Sequence, residues 1–283
     1  MNLGKLINIS TINKPILLLI ASLLVAILLF FIAISITDSY PYELRDNVIK
    51  IDAYLSNFEA STDQKIKQKE MKKVDSLLKL IEKDYKNTVA YLRCLGKAQI
   101  LKGDILNSYN TLVTARSKDK KTKIYRDLDR LTYLSSIFLS DIFLNRNQSM
   151  DAGRVIDYGL RIIPNSDQLL NNKGRYFQQM NIEDSSLVYF NKAFNANPNN
   201  NKIRSNFFMQ LIKLGDASFN TKNYNNALNM YITAEKLDAK NEGLMIQIAK
   251  VFKIIGQIDK ANIYYQKVLK INPNNQLAIS GIQ

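Results

Sequence analysis

Histidine and tryptophan are missing from the 283 residues, and cysteine occurs once, as Cys94. Without histidine there is no Ser-His-Asp or Cys-His nucleophile and no imidazole metal site. A single cysteine closes no internal disulfide and builds no cysteine-rich zinc site. Cys94 also lies too deep in the chain to carry a lipid behind a signal segment. It sits in YLRCLGKA, an apolar helical stretch where a free thiol acts as a small core residue. No glycine-rich phosphate loop occurs, and the acidic residues are scattered along helix faces. The chain therefore reads as no enzyme, with no cofactor and no metal. Acidic residues are outnumbered: 25 Asp and Glu face 39 Lys and Arg, a formal charge of +14. Such a balance attracts anionic lipid, nucleic acid or acidic partners. The basic stretches 65–73 and 116–130 are interleaved with acids and carry no aromatic stacking pattern, so nucleic acid is not expected. The first lies close to the apolar run described next, which favours lipid headgroups there.

That run, residues 15–37, reads PILLLIASLLVAILLFFIAISIT and carries no charge. About 20 apolar helical residues cross a bilayer core, so the segment is expected to span a membrane with some tilt. Ala33-Ile34-Ser35 offers small residues to a signal peptidase. The run is nonetheless longer than the roughly 7–15 residues of a cleaved signal's apolar region, and an uncleaved anchor is the preferred reading. Residues 1–14 form a short basic tail with Lys5 and Lys14, whereas Asp38, Glu43, Arg45 and Asp46 follow the run. Cationic flanks stay cytoplasmic, which places the N-terminus inside and residues 38–283 outside the cytoplasm. A cytoplasm-facing domain is the alternative, since Arg45 and Lys50 also lie near the membrane. Ser22 and Ala26 form a small-xxx-small pair, which makes a second copy of the chain one candidate partner.

Proline is scarce, and its five positions are informative. Pro164, Pro198 and Pro273 each follow a helical apolar pattern and precede asparagine, marking hairpin ends. The interval from Pro164 to Pro198 is one full period, and Gly215, Ala227, Tyr231 and Ala234 recur at the same interval as Ala249, Ala261, Tyr265 and Val268. Gly96, Gly174 and Gly215 share one small-residue position, and Gly103 and Gly256 share a turn position. Small residues allow two helix backbones to approach, and large ones fill the grooves beside them.

These residues resemble the tetratricopeptide repeat family, in which small residues at positions 8, 20 and 27, large ones at 11 and 24, and proline at 32 define a 34-residue helical hairpin. Five units fit over residues 89–275: 89–122, 133–166, 167–200, 208–241 and 242–275. The last fits best, with Ala249, Phe252, Ala261, Tyr265, Val268 and Pro273. The resemblance implies an all-α right-handed superhelix of hairpins preceded by one transmembrane helix. Single hairpins cannot bury their apolar faces, so neighbours must stack. Seven extra residues before the fourth unit read as one lengthened helix, 201–220, and ten extra residues separate the first two units. Within residues 38–88, Leu44, Val48, Ile51, Leu55 and Phe58, then Met71, Val74, Leu78 and Ile81, mark a degenerate juxtamembrane hairpin. The C-terminal tail, 276–283, reads as too short to cover the last hairpin, leaving its apolar face to a partner.

By the same resemblance, first-helix positions 2, 5, 9, 12 and 13 line a peptide-binding groove. They correspond to Arg93 and Lys97, to Gln168, Asn171, Arg175, Gln178 and Gln179, and to Lys250 and Lys253. Asn171 and Arg175 look like half of a carboxylate clamp, but Asp141, Ile212 and Asp216 occupy the flanking positions. The expected function is that of a membrane-anchored scaffold binding protein partners through the groove and lipid through the anchor, in assembly or quality control of an envelope or secretion complex. A cytoplasm-facing adaptor for soluble clients, or a noncatalytic subunit of a membrane enzyme complex, are the other readings.

Overall fold

A computed structural model describes residues 41–119 and 127–282. Among them the regular structure is α-helical throughout. The expected membrane span at 15–37 lies outside the described residues, as do residues 123–126 of the insertion between the first two repeats. No helix among the described residues is long and apolar enough to cross a membrane. The chain divides into two compact units, Met1–Leu131 and Thr132–Gln283.

The first unit contains α1 (Tyr42–Ala60), α2 (Gln64–Tyr85), α3 (Val89–Leu101), α4 (Ile105–Lys118) and the opening turn of α5 (Asp127–Asn145). Leu44, Val48, Ile51 and Leu55 of α1 meet Met71, Val74, Leu78 and Ile81 of α2, with Ala90, Cys94 and Ala98 of α3, in one core. The spacings of three and four put each set on one helix face. Asp63 caps α2 by accepting from the Lys65 amide at 2.7 Å, and Thr88 caps α3 by accepting from the Tyr91 amide.

The second unit holds most of α5 and then α6 (Ser149–Ile162), α7 (Asp167–Gln179), α8 (Glu183–Ala196), α9 (Asn201–Asn220), α10 (Tyr224–Glu235), α11 (Glu242–Ile254), α12 (Ile258–Ile271) and α13 (Gln276–Gly281). The lengthened helix expected over 201–220 is α9, with the same bounds.

Three hairpins close by the same contact. An added Cβ would lie 2.6 Å from the Leu112 side chain at Gly96, 2.6 Å from Phe190 at Gly174 and 2.5 Å from Tyr231 at Gly215. These are positions 8 and 24 of three different repeats, so the small residue exists to admit the large one. In two of them the position-20 serine also bonds the glycine's carbonyl: Ser108 Oγ donates to Gly96 and Ser186 Oγ to Gly174, each at 3.0 Å. The turn between paired helices is equally uniform. Position 15 of all five repeats is left-handed: Gly103 (φ 79°), Asn147 (57°), Asn181 (57°), Lys222 (60°) and Gly256 (80°). Glycine adopts this conformation without strain and asparagine tolerates it, while lysine does neither. First helices are capped in register too, by Ser166, Asn241 and Asn275 bonding Leu169, Leu244 and Ala278 amides.

The Asn275 cap starts α13, which corrects the expectation that 276–283 is too short to cover the last hairpin. Ala278 is buried, Gly281 packs directly on the Tyr265 ring, and Tyr265 is only 4% exposed. The short helix occupies the place of a sixth first helix.

Candidate protein-docking face

First helices present one face on which consecutive repeats meet through polar side chains. In the first unit, Arg93 projects from α3 and is nearly buried. Its Nη1 donates to Asp52 on α1 at 2.9 Å, and its Nε and Nη2 donate to Asp127 at the start of α5, at 2.8 and 2.5 Å. Burial alone would lower its pKa, but the Asp127 hydrogen bonds and the Asp52 charge more than offset this and raise it. Lys97 reaches Glu59 at 3.2 Å. Both cations are thereby neutralised inside the unit.

The second unit continues the pattern. Arg175 on α7 donates to Asp141 on α5 at 2.6 Å and to Asn145 at 2.7 Å. The Asp141 that breaks the carboxylate-clamp resemblance is the partner that fills the Arg175 fork. Asn171 accepts from Asn206 of α9 at 2.8 Å and is buried. Asn172 donates to Ser140 at 2.9 Å, and Gln178 donates to Gln210 at 3.1 Å. Gln210, fully buried, donates onward to Glu183 at 2.7 Å, which Lys213 also meets at 2.6 Å. Burial would raise the Glu183 pKa, yet these two hydrogen bonds hold it below the ordinary carboxylate value. Gln179 spans to the Leu144 carbonyl at 2.7 Å. Gln168 and Lys250 stand exposed, and Lys253 reaches the Gly281 carbonyl oxygen at 3.4 Å. The structure therefore brings Asn171, Arg175, Gln178 and Gln179 into one hydrogen-bonded ladder. Gln168 and Lys250 are exposed and stay outside that ladder.

Where the ladder ends, a cleft of about 270 Å³ opens between α9 and α11. Phe208, Met209, Ile212 and Asp216 form one wall; Gly243, Leu244 and Gln247 form the other; Tyr231 closes the floor. Met209 is 59% exposed. The Tyr231 hydroxyl donates to Asp216 at 2.6 Å. Burial first, and then this bond, push the phenol pKa upward, so it stays protonated.

Residues 243–275 match the family described as Tetratricopeptide repeat. The chain is similar to a solved tetratricopeptide repeat protein from Bacteroides fragilis at 12% identity, covering 69% of this chain and 96% of that one, with a TM-score of 0.52. The fold is that of a tetratricopeptide-like helical repeat. YrrB, described as such a repeat protein with an unusual peptide-binding site, aligns at 14% identity over 72% of this chain and 96% of its own, with a TM-score of 0.43. PilF of Pseudomonas aeruginosa aligns at 12% identity over 83% and 97%, with a TM-score of 0.41. The comparison with curated proteins gives no match.

In this repeat frame, Met209, Ile212 and Asp216 occupy positions 2, 5 and 9 of the fourth unit, and Gly243 occupies position 2 of the fifth. Reading the groove for polar residues alone passes over Met209 and Gly243, although the frame marks the same positions, and takes Ile212 and Asp216 only as departures from the clamp.

Proposed function

We propose that the protein is a membrane-anchored scaffold whose second unit binds an extended segment of a partner protein along its first-helix face. The observation that carries this reading is the α9–α11 cleft. It offers Met209, Phe208 and Ile212 as an apolar socket, with the exposed Gln168 and Lys250 at groove positions of the third and fifth repeats. An exposed apolar concavity among satisfied polar groups is a surface that recognises an apolar side chain. The remaining affinity would come from main-chain and polar contacts along the ladder. The uncharged run at 15–37 supplies the anchor in this reading, and an envelope or secretion complex is the assembly it serves.

Affinity capture from a detergent extract tests the proposal. The native chain should retrieve a defined membrane complex, and Met209→Lys, an exposed substitution, should lose it while remaining folded. Recovery of the protein by itself would contradict the scaffold role. Orientation is tested separately by protease access in spheroplasts: cleavage of the repeat units fits the extracytoplasmic placement, and protection reverses it in favour of a cytoplasm-facing adaptor.

A further inference from the structure

The first unit carries a second surface of different chemistry. Lys65, Lys69, Lys72, Lys79 and Lys83 of α2 recur at spacings of four, three, seven and four. At 100° per residue they fall within about 80° of arc and extend for about 27 Å. All five are exposed. The core stripe of Met71, Val74, Leu78 and Ile81 lies on the opposite side of the same helix. Ser76 fills the gap in the row.

Four other lysines of the unit are paired with carboxylates, whereas among the described residues Lys67, which lies over the Phe58 ring, Lys86 and Lys118 are not. Lys50 meets Asp46, Lys73 meets Glu70, Lys97 meets Glu59 and Lys102 meets Asp75, all within 3.2 Å. The five lysines of the stripe have no carboxylate partner among the described residues. Four lysines, Lys65, Lys69, Lys72 and Lys73, border a shallow depression of about 440 Å³ together with Gln68 and Ser76. Two large apolar side chains stand exposed on α2 flanking the row, Ile66 and Leu80. Unneutralised cations with flanking aliphatic groups fit the boundary between lipid headgroups and acyl chains. The uncharged run ends at Thr37 and α2 begins at Gln64, and α1 lies in the interval between them.

We infer that the lysine stripe of α2 lies on the anionic surface of a lipid bilayer, holding the first unit against the membrane. The inference builds on the anchored reading above, and the two are separable by experiment. The full chain is mixed with vesicles of phosphatidylcholine alone and with vesicles containing phosphatidylglycerol. Flotation is measured, and each lysine amine is then acylated and quantified by mass spectrometry. On anionic vesicles the five stripe amines should react at least about threefold more slowly than on neutral ones, while Lys250 should be unchanged. Roughly 0.5 M salt should remove the difference. The triple variant K69E/K72E/K79E, altered only at exposed positions, should show no protection at Lys65 and Lys83.

Flotation with both vesicle types and equal amine reactivity would keep the anchor and overturn the stripe. Flotation with anionic vesicles alone, with the stripe protected, would keep the stripe and overturn the anchor. Flotation with neither would overturn both. Equal protection on both compositions, or protection only after adding an acidic protein, would also defeat the lipid assignment.

Discussion

Replacing Gly174 by alanine places opposing effects at one atom. Alanine is favoured over glycine inside a helix by about 1 kcal/mol, so an open site would be stabilised. The new Cβ at position 174 would lie 2.6, 2.8 and 2.9 Å from three ring atoms of Phe190. Phe190 is 1% exposed, so its ring has no room to swing away. Forcing such an overlap costs typically about 1–3 kcal/mol, and the contact here belongs at the upper end of that range. The net destabilisation expected is about 1–2 kcal/mol, or a fall of about 2–8 °C in the melting temperature for a unit of this size. Thermal unfolding by circular dichroism reads it, with Gly243→Ala as the control. There the nearest atom is Asn241 Oδ1 at an ordinary 3.5 Å, so alanine should be neutral or raise the midpoint. The deciding measurement is Gly174→Ala in a Phe190→Leu background. If the penalty is as large there as in the native chain, the ring contact is not its cause and the packing argument for the repeat fails.

Lys222 is the one left-handed residue of the five turns that is neither glycine nor asparagine, so Lys222→Gly should stabilise by roughly 1 kcal/mol in chemical denaturation. Arg93→Lys keeps the charge but cannot bridge Asp52 and Asp127 together. It should cost about 2 kcal/mol, less than for a wholly buried pair because both carboxylates are over a third exposed or close to it. Cys94 has its thiol pushed up to about 12 by burial, with the Asp52 charge adding and Arg93 opposing. Iodoacetamide should leave it unmodified at pH 8 in the folded chain and label it once denaturant is added. Because that folded value exceeds the ordinary 9.0, the buried thiol's contribution is intact below pH 9 and is lost as pH climbs toward 12. Urea midpoints at pH 8 and 11 should therefore fall further for the native chain than for Cys94→Ala.

The repeat frame was legible because its causes are local. Gly96 against Leu112, Gly174 against Phe190 and Gly215 against Tyr231 share one short separation inside a single hairpin, and periodicity finds such pairs directly. The lengthened α9 was legible for the same reason. The groove was not, because a repeat position says which face a side chain occupies and not what already holds it. Arg93, Asn171, Arg175 and Gln178 read as ligand-facing, yet neighbouring first helices satisfy them. One signal was available: Arg93 with Asp127 and Arg175 with Asp141 are opposite charges separated by 34 positions. In a stacked array that separation places them side by side. The cover over Tyr265 was missed because so short a segment forms no stable isolated helix, and α13 exists only where Gly281 and Ala278 can pack.

The polar ladder also gives each hairpin an address. Asp141 fits beside Arg175, and Asn171 beside Asn206, only because those particular units are neighbours. Excision of residues 167–200 would set Met209, in place of Arg175, opposite Asp141, and take the guanidinium away from that carboxylate. Unequal recombination of the coding sequence, which lengthens and shortens many repetitive proteins without harm, would here join tiles whose edges do not mate. The order of units in this chain is therefore fixed by the seams between them as firmly as the fold is fixed by the hairpins themselves.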